Sequence, residues 1–425
     1  MENSLYLVAE HILLFDDIHR NLIWNDMIYR VINICIILKN LTIFFRNLFM
    51  AIRTRPPFRG DHVGSLLRPE TLLLSREKMK RGDITPKELK MHEDRCIEEV
   101  VKFQEKAGLL SITDGEYRRE SFHVDFISKL RNVTSSWDFD KAVKLGKENI
   151  AGKDKQMPYI PYIDGKIDRP EGGIEIENFK FIKSLTDRTV KITVPSPTMT
   201  HFRGGREAID KIAYPEMGDF FTDLARVYRE ELSDLGDAGC KYVQFDDTNL
   251  AYLCDERMRE NARQLGEDPD ELPETYATLI NDSIRDRPSD MAVCIHLCRG
   301  NAISQWFASG GYEPIADKMF NLTKVDGFFL EYDDERSGGF EPLRFVPKGD
   351  VTIVLGLVTT KFDTLETKDE IKRRIDEASK FVDIDQLALS PQCGFSSNAV
   401  GNLISVEDQF AKLRLVMEIS QEIWG

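Results

Sequence analysis

The sharpest chemical signal in the chain is an imidazole and a thiol two residues apart: His296 and Cys298, in the run Ile295-His-Leu-Cys298. In an extended backbone, residues i and i+2 point to the same side, so both groups aim at one point. They are donors of the softness that holds zinc. Taken alone, such a pair is more often a buried core histidine and a small apolar cysteine. Glu331 raises its significance. It ends the apolar run Gly327-Phe-Phe-Leu-Glu331, where a buried carboxylate is costly unless it binds a metal or pairs with a cation such as Arg336. Cys393 follows in Ser390-Pro-Gln-Cys-Gly-Phe395. The four make a His-Cys-Glu-Cys set. Two thiolates and a carboxylate give an electron-rich shell, suited to keeping an incoming thiol as a nucleophilic thiolate rather than polarising a water.

Such a set needs elements that bring distant residues to one end of a fold. From about residue 55, short β-rich runs alternate with longer amphipathic segments, the pattern of a parallel sheet with crossover helices. Eight strands are expected: His62–Leu66, Leu110–Thr113, Thr189–Val194, Lys241–Phe245, Met291–Ile295, Gly327–Leu330, Val351–Leu355 and Gln386–Leu389. Thr85-Pro-Lys-Glu88 reads as a capping box with proline at the first helical position, Thr367 with Glu370 opens a second helix and Ser405 with Asp408 a third. Eight strands, most followed by a helix, predict an α/β fold of the (β/α)8 TIM-like barrel type. An open doubly wound sheet is disfavoured because no GxGxxG follows the first strand. The stretch from Lys129 to Asp187 is too long for a plain loop and predicts a β-rich insertion after strand two, with strand-like pieces at Tyr159–Ile163 and Gly173–Ile176. In a barrel the active site lies at the carboxyl ends of the strands. Those ends read Ser65, Glu116, Ser196, Asp246, His296 with Cys298, Glu331 and Cys393.

The composition narrows the functional classes. With 425 residues and 42% apolar content, the chain can bury a large core. A formal net charge of −15 repels phosphate backbones and argues against nucleic acid as a partner. Seven cysteines, an odd and sparse count, suit a reducing compartment such as the cytoplasm. Residues 1–54 differ in composition and read as a poorly ordered N-terminal extension ahead of a catalytic unit over 55–425. Lys39 and Arg46 interrupt the apolar run from Val31 to Ile52, which argues against a membrane span, and the early acids Glu2, Glu10, Asp16 and Asp17 argue against a signal peptide.

His62-Val-Gly-Ser-Leu-Leu-Arg-Pro69, Thr113-Asp-Gly-Glu116, Val243-Gln-Phe-Asp-Asp247, Ile295–Cys298, the Glu331 context and Ser390–Phe395 occur in one order. Over roughly residues 56–425 this set resembles the catalytic domain of cobalamin-independent methionine synthase, most nearly short relatives without the folate-binding N-terminal half. The resemblance implies a TIM-like barrel whose zinc activates homocysteine for methylation to methionine, as in 5-methyltetrahydropteroyltriglutamate-homocysteine S-methyltransferases. It implies His296, Cys298, Glu331 and Cys393 as zinc ligands, Ser65 as the holder of the substrate carboxylate, and Glu116 with Asp246 as the pair that binds its ammonium group. The sequence departs from the family near Val358, where Gly356-Leu-Val-Thr-Thr-Lys361 carries no histidine to protonate the leaving group. The methyl donor is therefore open between methyltetrahydrofolate and a methyl-corrinoid. A thiol alkyltransferase of the same superfamily, with another thiol or donor, is the alternative. His62, His123 and His201 remain as proton sources, with a structural role favoured for His123. Arg203 and Arg206, in His201-Phe-Arg-Gly-Gly-Arg206, could grip an anionic donor.

Overall fold

The computed structural model describes residues 53–136, 159–301 and 303–425. The N-terminal extension expected over 1–54 lies outside them, except for its last two residues. In chain order the main elements are helices α1 (Glu70–Lys80) and α2 (Pro86–Lys106), strand β1 (Ser111–Ile112), α3 (Val124–Ile127), β2 (Arg131–Ser136), β3 (Ile160–Asp168), α4 (Ile176–Lys183), β4 (Thr189–Pro195), α5 (Met217–Asp237), β5 (Tyr242–Asp247), α6 (Asn249–Tyr252), α7 (Glu256–Gln264), α8 (Leu272–Ile284), β6 (Ala292–Leu297), α9 (Ala316–Leu322), β7 (Gly327–Glu331), β8 (Thr352–Val358), α10 (Lys368–Ala378), β9 (Leu387–Pro391) and α11 (Val406–Trp424).

Helix starts follow the local chemistry. Thr85 Oγ1 accepts the Glu88 N–H at 3.2 Å and Glu88 accepts the Thr85 N–H at 2.8 Å, closing the capping box at the head of α2. Gly108, at φ 91°, takes the left-handed turn that ends the same helix. Thr367 caps α10 through the Glu370 N–H at 3.3 Å, and Ser405 bonds the Asp408 N–H at 3.1 Å ahead of α11.

Seven strands form one curled parallel sheet in the order β1-β4-β5-β6-β7-β8-β9. Strands β5, β7, β8 and β9 are buried throughout, as expected where helices cover one face and a packed interior fills the other. Inside the curl, Val63, Tyr242, Cys294, Phe329, Val354 and Ala388 form one apolar cluster. Next to it the buried Lys191 ammonium lies 4.2 Å from the Phe329 ring centroid and 3.4 Å from Asp61.

The expected first strand, His62–Leu66, is not a regular strand. It runs extended between the two edges of the sheet. On the β9 side, Asp61 N–H donates to Leu389 O at 3.0 Å and Leu389 N–H donates to Arg59 O at 2.8 Å; on the β1 side, Leu66 N–H reaches Gly115 O at 3.0 Å. Side chains take the carbonyls that a ladder would use. Lys191 Nζ donates to His62 O at 2.5 Å, Gln244 Nε2 to Val63 O at 2.6 Å, and Thr113 Oγ1 to Gly64 O at 2.7 Å. Gly64 adopts φ 134°, and a Cβ there would meet Thr193 Cγ2 at 2.6 Å, so the turn before Ser65 requires glycine.

Strands β2 and β3 form a separate antiparallel pair, with Val133 opposite Ile163 and Arg131 opposite Asp168. The stretch 137–158 between them lies outside the described residues. Gly173–Ile176, read from sequence as strand-like, is instead a turn running into α4, because Gly172 and Gly173 both take positive φ. Arg53–Ile423 forms one compact unit. Among the described residues, no helix is long and apolar enough to cross a membrane.

Candidate active site at the carboxyl ends of the strands

A cavity of about 450 Å³ opens at these strand ends, and Ser65, Glu116, Asp246, His296, Cys298 and Cys393 all line it. Strand β6 delivers His296, and Cys298 lies just beyond it, its N–H bonded to Asp247 O at 3.0 Å. Cys393 follows β9. Its Sγ lies 3.1 Å from that of Cys298, and donor atoms of His296, Cys298 and Cys393 all fall within 4.8 Å of one another. Both ring nitrogens of His296 are buried without a hydrogen-bond partner. Orphaned nitrogens beside two converging sulfurs fit a soft, tetrahedral metal such as zinc. The contact between Cys298 and Cys393 shifts the two thiols in opposite directions. The hydrogen bond from Cys298, against burial and with help from His296, holds Cys393 well below the usual thiol range, while the same contact and burial push Cys298 up. The six described cysteines are all free.

Glu331 stands apart from this trio. At the end of β7 its carboxylate accepts from Arg336 at 2.5 Å, from the Arg299 N–H at 2.9 Å and from Lys361 Nζ at 3.3 Å. The cation partner considered from sequence, Arg336, is therefore present. Burial raises the carboxyl, but Lys361, Arg299 and Arg336 outweigh it and hold it at about 2. Its charge still reaches His296, Cys298 and Cys393.

Two carboxylates that line the same cavity are buried with little compensation, and one of them, Asp246, is the strand partner of His296. Glu116 sits in the left-handed region at φ 60°, a strained setting for a residue with a side chain. Its Oε1 accepts from Thr193 Oγ1 at 2.9 Å and lies 3.7 Å from Arg119, whereas its buried Oε2 has no partner. Burial drives Glu116 up despite Arg119. Asp246, held by Gln244 Nε2 at 2.6 Å, is pushed to about 7 by burial and then by Glu116. The neighbouring Asp247 has a different task, since its carboxylate accepts from the Leu250 N–H at 2.8 Å and Thr198 Oγ1 at 2.6 Å, fixing the start of α6. Ser65 Oγ accepts the Ser396 N–H at 3.3 Å, which leaves its own hydrogen to donate.

Several residues of this end went unread in the sequence. Arg68 ties three loops together through bonds to Ser396 O, Asn398 O, Glu116 O and Arg119 O at 2.8–3.1 Å. Gln244 precedes Asp246 by two, so the periodicity that joins His296 to Cys298 could have flagged it. Tyr252 and Met258 reach the cavity from α6 and α7, short helices that the sequence pattern did not reveal.

Of the other expected site residues, only His123 and Arg203 line the cavity. His62 lies in the interior, bonded to Ser111 O at 3.1 Å, and burial and Lys191 lower it to about 4. His201 packs between Tyr276 Oη at 3.0 Å and Glu267 at 3.3 Å, while Arg206 is spent on Tyr214 O at 2.6 Å. Ser196 does not reach the cavity. Glycine spacing and residue type carry no record of such partners.

Residues 61–420 match the family described as "Cobalamin-independent synthase, Catalytic domain". The uncharacterized protein YxjH of Bacillus subtilis is 42% identical over 374 residues, covering 87% of this chain and 96% of that protein. A methionine synthase of Sulfurisphaera tokodaii is 23% identical over 333 residues, covering 78% and 84%. Among solved structures, a putative vitamin-B12-independent methionine synthase from Listeria monocytogenes is 38% identical, covers 88% of this chain and 100% of its own, and superposes with a TM-score of 0.70. With the matched region spanning the whole curled sheet and its cavity, the chain belongs to the cobalamin-independent methionine synthase family, as a form of its catalytic domain.

Proposed function

We propose that the chain transfers a methyl group to the thiol of homocysteine, giving methionine, with zinc as cofactor. The observation that carries this reading is that one cavity holds both a His-Cys-Cys donor cluster and a pair of under-compensated carboxylates. Zinc held by His296, Cys298 and Cys393 would keep an incoming thiol deprotonated near neutral pH. Glu331 is the proposed fourth ligand, with Arg336 and Lys361 at hand to neutralise it. The chain's own residues orient the substrate. The ammonium group takes the open oxygens of Glu116 and Asp246, whose mutual repulsion it relieves, and the Ser65 hydroxyl donates to the carboxylate. Holding acceptor and donor in line lowers the barrier by pre-organisation.

Methionine formation by the zinc-loaded protein tests this, with homocysteine and, in turn, methyltetrahydrofolate (mono- and polyglutamate) and methylcobalamin. No methionine from any donor would refute it. A second reading, thiol alkyl transfer from a donor whose leaving group needs no proton, draws on the loop after β8. There Lys361 bonds Glu331 and Asp333, and no histidine follows Val358. Turnover of another thiol in preference to homocysteine and selenohomocysteine would favour that reading.

A further inference from the structure

The cavity wall carries a cation that the amino-acid pocket does not use. Arg203 lies in the loop after β4, and among the described residues no carboxylate is within ion-pair distance of it. The other basic residue lining the cavity at its rim, Lys80, is paired with Glu120 at 2.9 Å. Arg203 instead donates from Nη1 to His123 Nε2 at 3.1 Å. A guanidinium can only donate, so Nε2 must be the bare nitrogen, and the ring proton sits on Nδ1, facing Ser121 Oγ at 3.1 Å. Burial and Arg203 hold His123 well below the usual imidazole range, which keeps it neutral. His123 is thus an acceptor that aims Arg203. Its ring stands edge-on to Tyr159, with centroids 5.3 Å apart, and tilted against Phe122 at 4.4 Å. Burial raises the Tyr252 hydroxyl and the nearby Arg203 charge lowers it, and Tyr252 lines the same cavity as Arg203 and Cys298.

We propose that Arg203, propped by His123 in the cavity wall that Tyr252 shares, is an oxyanion subsite that takes a carboxylate or phosphate of the methyl donor. The remaining N–H groups of a planar, pre-aimed guanidinium match such a group in a bidentate fork. Phe122, Tyr159, Phe202 and Tyr252 line the same part of the cavity and would cover an apolar or planar donor body. This deepens the methyl-transfer reading and rests on it for the role of the ligand, though not for the affinity of the site for an oxyanion.

The test titrates the full-length protein, at constant ionic strength, with inorganic phosphate and separately with glutarate, following binding by calorimetry. L-Methionine binding and metal content are measured on the same samples. The wild type should bind one of the two anions saturably, and the preferred anion identifies the class. Arg203→Gln should weaken that binding at least tenfold, Arg203→Lys should recover part of it, and His123→Phe should weaken it severalfold, all with unchanged metal content. If Arg203→Gln fails to fold, the Arg203→Lys and His123→Phe series decides the matter. Equal anion binding by wild type and variants, or no saturable binding of either anion, overturns the proposal. Arg203-dependent anion binding without any methionine binding would uphold the subsite while sinking the homocysteine reading.

Discussion

Replacing Asp246 by Asn should change stability and ligand binding in opposite directions, each with its own pH dependence. In the empty cavity the Asp246 carboxyl is raised from 3.8 to about 7, by burial first and by Glu116 second. A displacement of that size is worth about 4 kcal/mol between the two protonation states. The sign follows from linkage: because the folded value is the higher one, the stabilisation is fully present below pH 3.8 and is lost as pH rises to about 7. Above that, the ionised carboxylate is a burden of up to about 4 kcal/mol, which Glu116 shares. The side-chain amide of the variant, neutral throughout, has no such slope. Urea unfolding of the metal-loaded protein should therefore show Asp246→Asn pulling ahead of the wild type between pH 4 and 7, then running parallel. Binding should show the reverse. L-Methionine presents the same zwitterion as homocysteine but has no thiol proton to confuse the count. At pH 8 its affinity should fall by about 2–4 kcal/mol in the variant, the cost of removing one partner of a buried charge pair. In the wild type, its binding near pH 6 should release a proton, visible by calorimetry in buffers of different ionisation enthalpy. Equal methionine affinity in the two proteins, or no proton release at pH 6, would refute the assignment of the ammonium to this carboxylate pair.

Cys298→Ser should lose most bound zinc by elemental analysis, and near-full occupancy would remove Cys298 from the donor set. Gly394→Ala should weaken methionine binding at least tenfold with metal content intact, because the added Cβ would overlap Ser65 Oγ and must displace it; unaltered binding would release Ser65 from its role. Deleting residues 1–49 should leave the circular-dichroism melt and zinc content unchanged, and an insoluble or metal-free truncation would show that the extension is part of the fold. Thr85→Ala should cost about 1 kcal/mol by removing the cap of α2, read as a lower urea midpoint at unchanged slope.

The strands β4 to β9 were legible because each is a short apolar run bounded by turn signals, and a strand buried on both faces looks that way in sequence. Their ends were legible too: His296, Cys298, Asp246 and Glu331 are polar groups where the runs stop. What escaped depends on partners that only the folded arrangement brings into contact. The type and position of His201 and Arg206 suggested chemistry, yet Glu267 and Tyr214 had already claimed them. The choice between metal and cation for Glu331 turns on where Arg336, Lys361 and the Arg299 N–H fall in space. His123 looked structural from its sequence context, which does not show that its Nε2 meets Arg203 at the cavity wall. The first strand was the plainest miss, since periodicity predicts an extended segment without predicting what its carbonyls will bond.

Because Lys191, Gln244 and Thr113 fasten the backbone of residues 62–64, the segment that carries Ser65 behaves as a laced seam rather than a woven edge. A woven edge resists opening through many equivalent rungs. A laced one depends on a few side-chain ties from β4, β5 and the end of β1, and it can slacken one tie at a time. Gln244 holds both Val63 and Asp246, so a ligand that steadies Asp246 also draws the seam tight. Amide hydrogen exchange around Val63–Leu66 should then slow when an amino acid occupies the cavity, while the rungs of β6 to β8 exchange as before. Closure of the ring and recognition of the substrate would share one fastening.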